Sequence, residues 1–585
     1  MANFYQPPPQ LADGWQADLI LRQALQHFLG DDVFAGAEDE LAAMGRVAIS
    51  PEVLDLAARA ELEPPVHIPY GAWGHRRDEI RVSDAYVRLG RIGVGAGVTS
   101  LPYEATPYAD KARLVWAGLL ALWGPSSALY SCPVAMTDGA ARTLLQFGDA
   151  ADLEVAARLT SRDPDFAWSS GQWMTETTGG SDLSRTETVA VRDDVGAWRL
   201  TGTKWFTSAT TSELALTLAR PDMRSAGDGS RSLALFRVHR FYSDGTPNEI
   251  VVRRLKDKLG TRALPTAELE LQGALAYPVG NPMAGGGIKK IATMLNITRI
   301  HNALGAAGNL GRALAWARAY ARVREAGGVA LSELPAHRAT LADLAVDYAA
   351  SLALALRSSQ LLGRIEHGVA HSDEVPLLRG LTPVAKLATA RWAIAGVTEA
   401  MECIGGVGYC EDSTIPALVR NSHVLPIWEG TTNVLALDFL RAARSGALDS
   451  LLNDALQVAA KADGIEQLDD ALTALRAAVV HLRTAARSVE GDDASAQAGA
   501  RSLAMGVAKT YACALLCSQA AHFRNDRRSA AIAARLAHRG LHEPAAPPDT
   551  SFVFDDSWHP AESAPRSSSG PAEVSIGWYP RPLPQ

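Results

Sequence analysis

The sequence predicts a mainly helical protein interrupted once by a small β domain. Three observations carry this. Apolar residues recur at helical spacing in QADLILRQALQHFL and KARLVWAGLLALWG, both within the first 155 or so residues. The texture changes near Trp168, where glycine, threonine and alternating polarity take over until about residue 280. Helical periodicity returns after GNPMAGGG and holds to about residue 540, in stretches rich in Ala and Leu.

Taken in order, the elements follow from these patterns. QPPPQL and ELEPPVHIPYG read as connectors or surface arms, because proline breaks regular structure. In TAELELQG, Ala267, Leu269 and Leu271 alternate with Glu268 and Glu270, the mark of a strand buried on one face. AWRLTGTKWFT, SLALFRVHR and EIVVRRL are further strands, and MRSAGDGSRS is a turn between two of them. A long helix is expected from Ile288 to Arg324, followed by helices in RATLADLAVDYAASLALALRSSQLLGRI and PVAKLATARWAIAGVTEAMECI. The segment from Pro544 is rich in Pro and Ser, so an extended tail is expected there, with Phe552, Phe554, Trp558, Trp578 and Tyr579 available to dock on a neighbouring surface. The domain plan is 1–164 helical, 165–281 β, 282–446 helical, 447–543 a further helical domain, and 544–585 the tail. No internal repeat is present.

Bulk composition narrows the functional classes. A chain of 585 residues exceeds what one core holds, so several domains are required. A net charge of -8 argues against a wholesale nucleic-acid binder. Five cysteines, an odd number spread over a long chain, do not form a disulfide framework. Cys513 and Cys517 share one helix face without metal-ligand partners, and read as small buried residues. The N-terminus lacks a basic segment followed by an apolar run, and no charge-free apolar stretch of about 18 residues occurs, so neither a secretory signal nor a membrane span is expected. The expected location is the cytoplasm.

Three segments are candidates for chemistry. In MTETTGGSDLSRT, Gly179 and Gly180 let the backbone approach a ligand, and Thr175 and Ser181 supply hydroxyls; as loop chemistry alone this is equally a surface turn. In GTKWFTSAT, Trp205 and Phe206 adjoin Thr207 and Ser208, which suits a planar cofactor and equally suits a core strand. The most specific segment runs from Ala400 to Gly446: a helix stops at Gly405-Gly406, and PIWEGTTN opens another helix whose N-terminal amides face whatever lies in front.

Together, MTETTGGSD, GTKWF, RRLKDKLGTRA, EAMECIGGVGYCE and IWEGTTN, in that order, resemble the acyl-CoA dehydrogenase family, and most closely its AidB-like branch. QPPPQLADGW and the long C-terminal extension are similar to that branch too. The resemblance spans about residues 5 to 445. It implies an N-terminal helical domain, a central β-barrel-like domain and a C-terminal four-helix bundle with extra helices after it. It implies FAD as cofactor and Glu429 as the base that takes the α-proton of an acyl thioester while a hydride leaves Cβ for the flavin. Ile427 and Trp428 are then expected to form a dry wall around that base, Gly430 to leave space for substrate, and the Glu429 N–H to polarise the thioester oxygen.

Residue by residue, the resemblance assigns FAD contacts to Met174, Thr175, Gly180, Ser181, Phe206, Ser208, Trp428, Thr431 and Asn433. Asn296 and Arg299 match substrate contacts, Asn296 replacing a more usual acid. MLNITRIHNALG has no glutamate beside Arg299, so no rival base stands there. Arg324 matches an arginine that reaches the cofactor of a neighbouring subunit, which implies an oligomer, usually a tetramer. Gly327-Gly328 and Glu333 replace the family's Phe-Gly and Gln, and Glu402 stands where many members have Gln. The implied partners are an acyl-CoA-like small molecule and an electron-transfer flavoprotein.

Two alternatives accompany this reading. One is a flavoprotein that binds DNA, for which HFRNDRRSAAIAARLAHRGLH offers Arg524, Arg527, Arg528, Arg535 and Arg539 against Asp526 alone; a solvated helix face explains the same residues. The other is a flavin oxidase or monooxygenase on a non-CoA substrate, because the same fold supports those chemistries.

Overall fold

In this computed structural model residues 6–542 are described, apart from 222–228, 230 and 490. The tail from Pro544 with its aromatic residues, and most of the MRSAGDGSRS turn, lie outside the described residues.

The first domain is built from α1 (Leu19–Leu29), α2 (Asp31–Ala48), α3 (Pro51–Leu62), α4 (Asp84–Gly95), α5 (Ala112–Trp123), α6 (Ser131–Phe147) and α7 (Ala150–Leu159). Local signals set the helix starts. The Ser50 hydroxyl accepts from Val53 N with Pro51 in the first turn, and Asp149 and Asp152 form a reciprocal capping box on α7. The α5 helix is buried all round, as its uniformly apolar sequence requires. The proline-bearing HIPYG segment is not a connector: β1 (Val66–Tyr70) pairs antiparallel with β2 (Arg76–Arg81). Pro69 is tolerated because the hairpin has only two strands, so every residue sits at an edge.

The β domain holds β3 (Ser170–Trp173), β4 (Val189–Arg192), β5 (Trp198–Ser208), β6 (Leu214–Ala219), β7 (Ala234–His239), β8 (Ile250–Leu255) and β9 (Thr266–Pro278). The order is β3-β6-β7-β9-β5-β4, with β8 also on β9. The edge strand β4 reaches back to the chain after β6 through Ala190 N to Arg220 O at 2.7 Å, so the sheet curls towards a barrel. The expected alternation in β9 holds for Ala267, Leu269 and Leu271, but Glu268 is buried too, paired with Arg254 at 2.7 Å and Lys256 at 2.5 Å.

The third domain contains α8 (Gly287–Val323), a short hairpin of β10 (Glu325–Ala326) and β11 (Val329–Ala330), α9 (Pro335–Glu366), α10 (Glu374–Ile404), α11 (Ile415–Ser422) and α12 (Thr432–Arg444). After it come α13 (Ala447–Ala459), α14 (Asp469–Ser488), α15 (Asp493–His522) and α16 (Arg527–His538). Cys513 and Cys517 are buried on α15 as free thiols. Among the described residues α9 is the one helix long and apolar enough to cross a membrane; its most apolar stretch is 61% buried against neighbouring helices.

A buried charge cluster ties the first and third domains together. Arg113 on α5 holds Asp138 on α6 at 2.6 Å and Glu366 on α9 at 2.7 Å, and His301 on α8 reaches Asp138 at 2.8 Å. Burial alone would raise the Asp138 pKa, but Arg113 and His301 outweigh it and hold the carboxyl well below its usual range. Removing the cation leaves two carboxylates without their partner. Arg113→Met is therefore expected to destabilise by about 3–5 kcal/mol in urea unfolding; a loss under 1 kcal/mol would show that the cluster does not bind the helices together.

Candidate active site

Three domains meet at Asn421, near the end of α11. Its amide donates to Glu61 on α3 at 2.7 Å, and its Oδ1 accepts from Thr261 N at 2.5 Å. Thr261 belongs to the KDKLGTRA segment. A Cβ on Gly260 would lie 2.5 Å from Arg420 O, so only glycine permits this approach.

From here the chain turns through Val424 and Leu425 into PIWEG. Glu429 has φ +56°, a left-handed conformation that is costly for a residue with a Cβ, and Gly430 follows at φ +104°. Two basic side chains hold this turn. Lys386, fully buried on α10, donates from Nζ to Trp428 O and Gly430 O, both at 2.7 Å. Arg299 on α8 donates from Nε to Glu429 O at 3.3 Å and is itself fixed by Asp438 on α12 at 2.8 Å. Three successive carbonyls are thus each held by a basic side chain.

The side chain of Glu429 is also anchored. Thr298 Oγ1 donates to Glu429 Oε2 at 2.9 Å, and Gln172 Nε2 at 3.4 Å. Both bonds fall on one oxygen, and Oε1 accepts none among the described residues. Glu429, Thr298 and Trp428 border a narrow cavity of about 50 Å³ between α6 and α8. Leu129, Met136 and Leu425 are among its walls. Cys132 lies there too, its thiol pushed up by burial and by the Glu429 charge. Ile427 does not form part of a dry wall: it is 61% exposed and does not line the cavity, while Trp428 does and packs against two apolar clusters.

The two glycine- and aromatic-bearing segments are joined by bonds that the sequence does not advertise. Glu176, inside MTETTGG, is buried and accepts from Lys204 at 2.7 Å, Thr188 Oγ1 at 2.6 Å and Glu187 N at 2.6 Å. Lys204, inside GTKWF, is fully buried, and Trp205 N donates to Thr175 O at 2.9 Å. Burial opposes the charge on Glu176, and Lys204 outweighs it, keeping the carboxyl ionised. Beyond this anchor Thr175 is half-buried, Gly180 and Ser181 are exposed, and Phe206 presents 56% of its surface, with Lys256 over the Trp205 and Phe206 rings. Met174 is buried and shares an apolar cluster with Trp428. Ser208 Oγ lies 3.1 Å from Thr266 Oγ1.

The residues present fit a flat flavin. Gln172 Oε1 and Trp428 Nε1 are buried without a partner, and a Cβ at Gly179 would meet nothing within 4 Å. Thr431 caps α12 by accepting from Val434 N, leaving the first amides of that helix, with exposed Asn433, facing outwards. The other expected residues are placed as follows. Arg299 serves Asp438 and the Glu429 carbonyl instead of standing free for substrate. Asn296 is half-buried one turn before it. Arg324 ends α8 and donates to Gln6 at 3.1 Å. Gly327-Gly328 form the tip of the β10–β11 hairpin, and Glu402 is exposed. Of the basic residues on and around α16, Arg535 pairs with Asp343 at 2.8 Å and Arg539 with Asp347 at 2.8 Å, so part of that stripe is neutralised by α9.

Comparisons with known proteins give the family. Residues 171–274 match the acyl-CoA dehydrogenase middle domain and 285–443 its C-terminal domain. Residues 6–166 match the adaptive response protein AidB N-terminal domain, and 446–551 an acyl-CoA dehydrogenase 11 C-terminal domain-like model. Acyl-CoA dehydrogenase family member 11 of Caenorhabditis elegans is 42% identical over 446 residues, covering 75% of this chain and 72% of that protein. The chain belongs to the acyl-CoA dehydrogenase family. Within it, the putative acyl-CoA dehydrogenase AidB of Escherichia coli (strain K12) is 34% identical over 418 residues, 70% of this chain and 74% of that one. The crystal structure of Caenorhabditis elegans ACDH-11 in complex with C11-CoA superposes with a TM-score of 0.90 at 36% identity, covering 95% of this chain and 97% of that one.

Two measurements check this family site. Lys204→Met removes the cation from a buried pair and is expected to destabilise by about 3–5 kcal/mol, with loss of bound flavin on purification. Burial lowers the Lys386 pKa from 10.5 to about 7, against the pull of Glu429. Below that range both folded and unfolded chains hold its proton. Between about 7 and 10.5 the unfolded chain holds a proton that the folded one lacks, so rising pH favours folding. The stability difference between wild type and Lys386→Met should therefore shift towards wild type by up to about 5 kcal/mol across that window. A difference flat with pH would contradict the buried, discharged amine.

Proposed function

We infer that the chain is an FAD-dependent acyl-CoA dehydrogenase-like oxidoreductase that introduces a double bond between Cα and Cβ of an acyl thioester. One observation carries the reading: a carboxylate is fixed at the rim of a narrow, mostly apolar cavity with one oxygen tied down and the other free. The C11-CoA in the Caenorhabditis elegans ACDH-11 complex supports an acyl-CoA ligand.

The residues divide the work. Thr298 and Gln172 hold Oε2, so Oε1 of Glu429 receives the α-proton. The Glu429 N–H has no acceptor among the described residues and is available to the thioester oxygen, where charge develops as the proton leaves. Lys386 and Arg299 keep that N–H and carboxylate in register by fixing the turn between them. Met174, Thr175, Gly180, Ser181, Phe206, Ser208, Trp428, Thr431 and Asn433 would hold FAD, which when bound accepts the hydride from Cβ. The reading extends to a homotetramer in which Arg324 serves a neighbouring subunit's cofactor, to an electron-transfer flavoprotein as acceptor, and to a cytoplasmic location.

Anaerobic titration of the purified yellow protein with acyl-CoA esters tests it. Wild type should bleach, and Glu429→Gln should stay yellow, with bleaching slowed by at least about 10²-fold. Undiminished bleaching in the variant would remove Glu429 from its role, and hydrogen peroxide release during turnover in air would move the assignment to an oxidase.

A further inference from the structure

We propose that Gly305 sets the length of acyl chain the cavity accepts, admitting an unbranched chain that runs past it. This rests on the acyl-thioester reading above. The cavity follows α8: Thr298, bonded to Glu429, marks its reactive end, and Asn302, Gly305 and Asn309 line it in turn. At about 1.5 Å per residue, the path from Thr298 to Asn309 is about 16 Å long, and Gly305 lies about 10 Å along it.

Gly305 differs from the next glycines on the same helix. A Cβ at Gly308 would sit 2.7 Å from Ala121 O, and one at Gly311 would sit 2.5 Å from the Tyr348 ring, so close packing accounts for both. A Cβ at Gly305 would meet nothing within 4 Å. Packing does not require glycine there, and glycine weakens a helix interior relative to alanine. From Ile300 to Gly311 every other residue is buried, so the surface that Gly305 shows is its contribution to the cavity wall. The missing side chain is what keeps the far half of the tube open.

The tube is narrow, so it selects for straight chains. With C–C bonds of about 1.5 Å, an extended chain advances about 1.25 Å per methylene, and about eight methylenes separate the level of Thr298 from that of Gly305. Butyryl-CoA ends well short of Gly305, and dodecanoyl-CoA passes it.

Binding of butyryl- and dodecanoyl-CoA to full-length, flavin-loaded wild type, Gly305→Ala and Gly305→Leu tests this. Gly305→Leu should weaken dodecanoyl-CoA by about tenfold or more, as overpacking does, and leave butyryl-CoA within about twofold. Gly305→Ala should melt no lower than wild type, since its methyl meets no neighbour; a lower melting temperature would overturn the proposal even if Gly305→Leu does not fold. Equal effects on both esters, or none, would overturn it while leaving the functional reading standing. A wild type that binds neither ester would overturn both.

Discussion

Lys386 reaches two carbonyl oxygens on either side of a left-handed glutamate. Much else in the site follows from that contact. Left-handed backbone is unfavourable for Glu429, and such strain persists only where surroundings over-determine it. Lys386, Arg299 and Asp438 supply that surrounding from three different helices. The strain has a use: it aims one carboxylate oxygen at the cavity while the amide of the same residue stays unpaired. In the proposed function, proton acceptor and charge stabiliser come from one residue, and one clamp positions both.

The rest of the molecule can be understood as support for that turn. Arg113 and its partners lock the helices that form the cavity walls. Asn421 brings the β domain to the turn, and the Glu176–Lys204 pair fixes the loop that faces it. Each is a buried charged or amide group with its hydrogen bonds made, the condition under which burial of polarity is tolerated. Gln172 Oε1 and Trp428 Nε1, on residues that contact or belong to the turn, are among the buried polar atoms left without a partner.

The helix–β–helix fold and the family were legible in the sequence, because helical and two-residue periodicities are local and the family's motifs are contiguous. The clamp was not. PVAKLATARW reads as a core helix with one lysine, and nothing local says that this lysine faces carbonyls 42 and 44 positions away. Glu268 and Glu176 look like solvent-facing members of polar stretches, and only their partners across the sheet explain their burial. The β1–β2 hairpin was hidden by its proline, which an edge position allows. Ile427 looked like shielding because it adjoins Trp428 in sequence, whereas the turn sends the two side chains to different environments. Gly305 sits in a run of small residues that suggests helix packing, and only the space around it tells it apart from Gly308.

The central claim is that the clamped turn, and not the carboxylate alone, makes the base effective. Solvent deuterium exchange at Cα of a bound acyl-CoA analogue that cannot transfer hydride measures this directly. The account predicts exchange in wild type, none above background in Glu429→Gln, and a loss of about 10²-fold in Lys386→Met with the analogue still bound, because small misplacement of a base is costly. Exchange in Lys386→Met at the wild-type rate would contradict it.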